Sequence, residues 1–117
     1  MTGYKFPPNS PASKSLDAVT AVAAGAAIAF NDSRQVNWLV EGSGTITSGT
    51  VVIESAHAAD YSGTWNELDV IDASTLSGGK LYGNTFPHVP GGFVRARVSV
   101  QIDGGGTITV RLNGLLG

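Results

Sequence analysis

The closing stretch Phe93-Val-Arg-Ala-Arg-Val-Ser-Val-Gln-Ile-Asp-Gly-Gly-Gly-Thr-Ile-Thr-Val-Arg-Leu-Asn113 decides the fold. Val94, Ala96, Val98, Val100 and Ile102 fall on one face of an extended chain. Phe93, Arg95, Arg97, Ser99 and Gln101 fall on the other. After the glycines of the Asp103–Gly106 stretch the period resumes, with Ile108, Val110 and Leu112 on the apolar face and Thr107, Thr109 and Arg111 opposite. Two alternating runs divided by a Gly-rich loop read as a β-hairpin over a shared core. A slip of one residue would turn every apolar side chain of a run into water, so the register is strongly fixed.

Working back from this ribbon, the same period recurs. Val36, Trp38 and Val40 share a face, with Gln35, Asn37, Leu39 and Glu41 opposite. A strand of β-branched residues spans residues 50–55, and another spans 65–71 with Leu68 and Val70 inward and Glu67 and Asp69 outward. Residues 80–86 form a further short strand. Gly/Ser turns divide these runs, and no βα alternation is visible. The Ala-rich run 19–30 reads as one strand or two short strands bent at Gly25, with a short helix as the alternative. In residues 1–16, Pro7, Pro8 and Pro11 forbid a helix and favour extended backbone. This segment reads as an N-terminal arm carrying two aromatic anchors, Tyr4 and Phe6, and as either a docking element or a frayed terminus. The expected organisation is an arm over 1–16 and an all-β domain over 17–117, an antiparallel, jelly-roll-like β-sandwich.

Composition narrows the function. Among 117 residues, charged side chains make up 14%, below the usual ~25%, and glycine supplies 16 residues, about twice the usual ~7% share. The net charge of −2 lacks the basic footprint of a general nucleic-acid binder. There is no cysteine, so disulfides, thiolate metal sites and thiol nucleophiles are excluded, and assembly in a reducing cytoplasm is favoured. The Ala-rich run is too short to span a membrane as a helix. Ala27-Ile-Ala29 after Lys5 and Lys14 has the look of a signal-peptide cleavage site, but the long, Pro-containing leader argues against that reading.

Few residues offer chemistry. His57 and Asp60 could form a metal or base pair, but no third ligand lies nearby and a surface loop pair is the favoured reading. His88, between Pro87 and Val89, reads as a loop or contact residue. Glu67, Asp69 and Asp72 make an acidic strand end suited to solvent or, less favoured, to Ca²⁺. Tyr61, Trp65 and Tyr82 could stack on a sugar if exposed, but burial of Trp65 is favoured. Arg95, Arg97 and Arg111 would point outward together, either pairing with Glu67 and Asp69 across strands or gripping an acidic partner. No nucleophile–base constellation is apparent, so no catalytic residue, cofactor or metal is expected.

The succession Gly49-Thr-Val-Val-Ile-Glu-Ser55, Gly63-Thr-Trp-Asn-Glu-Leu68, Phe93-Val-Arg-Ala-Arg-Val98 and Gly104-Gly-Gly-Thr-Ile-Thr-Val110 is similar to small β-sandwich virion proteins of tailed bacteriophages. The likeness covers about residues 35–114. It implies a role among capsid decoration (cement) proteins, head–tail components and fibre parts, and it supplies no catalytic residue. The expected function is a decoration protein that binds and stabilises the assembled shell, with a tail, fibre or carbohydrate-binding module as the alternative. The expected partners are further copies of itself, as a trimer, and the major capsid protein or another virion protein, with no nucleic acid or membrane. The expected location is the virion, after assembly in the host cytoplasm. The interface candidates are Tyr4, Phe6, Arg95, Arg97 and Arg111.

Overall fold

A computed structural model describes residues 12–30, 35–87 and 89–115. Nine strands appear among them: β1 Ala12–Val19, β2 Ala23–Ala24, β3 Ile28–Ala29, β4 Gln35–Ser43, β5 Ser48–Ala56, β6 Asn66–Asp72, β7 Leu81–Pro87, β8 Phe93–Asp103 and β9 Thr107–Leu115. One sheet has the order β1-β9-β4-β7, and the other β2-β8-β5-β6 with β3 also on β8. All these pairings are antiparallel. Taking β2 and β3 as one interrupted strand, the first strand pairs with the last, the second with the next to last, and so on to β5 and β6. That is a long hairpin rolled into two layers, the jelly roll.

The inward residues of both layers make the core. Val36, Trp38 and Val40 from β4, Val51 and Ile53 from β5, Val94, Ala96 and Val98 from β8, and Ile108, Val110 and Leu112 from β9 are all buried together. Trp38 has no exposed surface and stacks near Phe86 of β7, ring centroids 6.5 Å apart. The alternation read from the sequence therefore fixes which face each of these strands buries. The slab measures 38 × 38 × 17 Å.

Three expectations change. First, β8 and β9 are not a hairpin: they belong to opposite sheets, and the Gly-rich segment between them is an arch. Alternation shows only that both apolar faces look at one core. Facing strands in two layers satisfy that as well as neighbours in one. Gly106 is packed so closely that a Cβ there would lie 2.7 Å from the Thr45 carbonyl oxygen, and its N–H donates to that same oxygen.

Second, the sandwich starts at or before residue 12, because residues 12–16 of the expected arm are strand paired with β9 from Ala12↔Asn113 to Leu16↔Val110. Leu16 lies in the core. Tyr4 and Phe6 lie outside the described residues. Ser15 stitches the layers together, since its hydroxyl donates to the Ala26 carbonyl (2.7 Å) and accepts from the Ala96 N–H (2.8 Å). The Ala-rich run is two short strands either side of Gly25, as one of the readings had it, and both lie on β8. A Cβ at Gly25 would collide with the Ser15 carbonyl oxygen, so the bend requires glycine.

Third, β6 carries a bulge. The register runs Ile53↔Asp69 and then Glu54↔Glu67, leaving Leu68 as the extra residue. The strand phase therefore changes within β6. Leu68 packs on the core, but Val70, expected inward, is 56% exposed, and Ile71 is buried in its place; Val100 of β8, also expected inward, is 52% exposed, because a register shift between Val98 and Val100 changes the phase there too. Asp69, expected in solvent, turns toward the other sheet.

Candidate functional site

The outer face of the β8-β5-β6 sheet carries the most concentrated chemistry. Cross-strand register sets Arg95, Glu54 and Glu67 in one row and Arg97, Val52 and Val70 in the next. Glu54 points away from the core by strand alternation, yet is only 2% exposed. Burying a carboxylate without partners would be expensive. Here Arg95 Nε donates to Glu54 Oε2 at 2.7 Å, and Arg97 Nε donates to Oε1 at 3.1 Å.

Trp65 completes the cluster. The loop between β5 and β6 folds back over the sheet and lays the indole ring against Arg95, whose guanidinium carbon lies 3.9 Å from the ring centroid. This is a cation–π stack on a largely buried ring. The Trp65 N–H donates to the Tyr61 carbonyl at 2.8 Å, and the Tyr61 ring leans on His57 with centroids 4.8 Å apart. A Cβ at Gly63 would run into the Tyr61 ring, so that glycine permits the loop's closure. Beside the indole lies a cleft of about 210 Å³ lined by Glu54, Thr64, Trp65, Glu67, Arg95 and Arg97, among others. Val70 and Val100 are 56% and 52% exposed on the same sheet. The surface thus combines fixed guanidinium groups, an aromatic ring and an apolar margin, a composition suited to binding.

The expected arginine trio is divided. Arg111 stands on β9, in the other sheet, and pairs with Glu41 through Nη1 and Oε1 at 2.6 Å. The acid that holds Arg95 and Arg97 is Glu54, and neither Glu67 nor Asp69 pairs with the three arginines among the described residues. Glu54 escaped notice because its place at the end of Val51-Val-Ile53 reads as a strand terminus in solvent. Only the strand order reveals the two arginines flanking it.

Asp69 serves the interior. Its Oδ2 accepts from Trp38 Nε1 (2.9 Å), the Tyr82 hydroxyl (2.8 Å) and Asn84 Nδ2 (3.2 Å). The signal available in the sequence was Trp38 itself, since a buried indole N–H needs an acceptor. Burial, and then the hydrogen bond and negative charge of Asp69, hold the Tyr82 phenol above its ordinary pKa of 10.0. Tyr61, Trp65 and Tyr82 form no common stacking platform, because Trp65 is buried against Arg95 while Tyr82 points at Asp69. His57 is exposed and its ring lies tilted against Tyr61, at an interplanar angle of 54°. Among the described residues no three His, Asp or Glu side chains converge as a metal site. His88 lies outside the described residues, and no helix among those described is long and apolar enough to cross a membrane.

The fold defines the class, a small jelly-roll sandwich. Within it, the chain is similar to the SPBc2 prophage-derived protein YomS, known from a crystal structure. The TM-score is 0.58 over 97% of this chain and 100% of that one, at 15% sequence identity. Similarity at that level establishes the shared fold. No family model matches the sequence, and no curated protein matches it.

Proposed function

We propose that this chain is a structural protein of a phage virion that decorates the assembled capsid as a homo-oligomer, a trimer, and stabilises the shell. The observation that carries the reading is the β8-β5-β6 sheet, which exposes Val70 and Val100 and also carries the Trp65–Arg95 stack. Arg and Trp are favoured at protein interfaces, and the low overall charge reduces the desolvation needed to pack subunits together. The fold shared with a prophage-derived protein supports a phage setting. Binding the assembled shell and not its dissociated subunits stabilises the shell by mass action. Tyr4 and Phe6 add contacts in this reading, through an arm laid on a neighbour.

The test is sedimentation with shells assembled from the major capsid protein of the same genome, alongside the solution mass of the free protein. Wild type is expected to be trimeric and to pellet with shells. The double variant Val70→Asp and Val100→Asp should keep its melting temperature, since both side chains are exposed, and lose co-sedimentation. A monomer that stays in the supernatant would remove the decoration reading. Pelleting with purified tails instead of shells would transfer the protein to the tail or fibre.

A further inference from the structure

We infer that the cleft beside Trp65 is a receptor for one acidic side chain of a docking protein, with Arg95 and Arg97 as the binding residues and Glu54 as the residue that positions them. A guanidinium has five N–H donors in a rigid fork. The hydrogen bonds of both groups to Glu54 leave through Nε, and among the described residues neither has another hydrogen-bond partner. The terminal nitrogens of two arginines therefore remain unspent at one cleft. They are also held in place: Glu54 anchors both arginines, and the indole fixes the plane of Arg95. The side chains stay 20% and 33% exposed, so an incoming group can reach them. Preorganised donors of this kind suit a planar two-oxygen acceptor.

Charge selects the class of ligand. Two arginines against Glu54 leave one positive charge, and Glu67 at the rim brings the lining to formal neutrality. A monoanionic carboxylate takes that lining to −1 and a phosphate dianion takes it to −2 beside two carboxylates, so the carboxylate is the less opposed of the two. Val70 and Val100, exposed further along the same sheet, argue for a protein as the carrier, because only a ligand larger than a small free acid reaches both the cleft and these valines. Assigning the carboxylate to a docking protein rests on the decoration reading. The affinity of the cleft for a carboxylate does not.

The test begins with wild-type protein and follows the Arg95 and Arg97 Nε–H and the Trp65 indole N–H by ¹H–¹⁵N spectroscopy. Sodium acetate, sodium chloride and methyl phosphate are titrated at equal ionic strength. Acetate should give saturating shifts of all three signals and leave the Trp38 indole N–H, bound to Asp69, in place. Arg97→Gln should weaken acetate binding about tenfold, as loss of one charge-assisted contact implies. Acetate shifts no larger than those with chloride, or tighter binding of methyl phosphate, would overturn the assignment. These comparisons need no variant, so they decide even where Arg97→Gln fails to fold. Sedimentation separates the two readings. If acetate binds and Arg97→Gln still pellets with shells as wild type does, the cleft is not the docking receptor and the decoration reading stands. If acetate binds and wild type does not pellet with shells, the decoration reading falls and the carboxylate site remains.

Discussion

Glu67 and Asp69 stand two residues apart on one strand and do different work. Period-two reading puts both in solvent, and for Glu67 that is right. The bulge at Leu68 turns Asp69 inward, where one carboxylate oxygen takes hydrogen bonds from three side chains. A single inserted residue is invisible to alternation, which explains why the acid at the interior was not legible while the valines and isoleucines of the core were. Replacing Asp69 by Ala should cost about 2 kcal/mol in urea unfolding, because it strands the buried indole N–H of Trp38. Glu67→Ala should stay within about 0.5 kcal/mol. Tyr82 adds a pH signature. Its folded pKa is raised, so its contribution to stability is fully present below the unfolded value near 10 and is lost as pH rises through the folded value. Thermal melts from about pH 9 to pH 11 should therefore show a steeper decline in wild type than in Tyr82→Phe.

At the scale of elements, the sequence showed where strands lie and which faces they bury, but not which strands adjoin. The Ala-rich run, too small in side chain to show a clear period, took its two-strand form from pairing with β8. Alternation alone makes the arch between β8 and β9 a hairpin and gathers the three arginines on one face, whereas the strand order puts Arg111 in the other sheet, paired with Glu41. The arch makes its own demand on glycine. Gly105 has a φ of 98° and open space around its Cβ position, so Gly105→Ala should cost only the backbone strain, about 1–2 kcal/mol. Gly106→Ala should cost more than Gly105→Ala in the same denaturation experiment, since the Ser43 and Thr45 carbonyls stand in the way. The start of β1 can be tested by truncation. Removing residues 1–11 keeps all of the described β1 and serves as the reference for a longer deletion. Removing 1–16 also deletes Leu16 and Ser15, and should cost more than about 3 kcal/mol.

At the scale of the molecule, the pairing of first strand with last has a consequence for biosynthesis. β9, the last of the described strands in chain order, sits between β1 and β4 and hydrogen-bonds to both. The nascent polypeptide therefore carries β1 and one edge of β4 without their partner until the ribosome has translated β9. Completion of that layer waits for β9 to emerge from the exit tunnel, and a message truncated before β9 yields a chain in which β1 is unpaired and one edge of β4 lies open, with a strong tendency to aggregate.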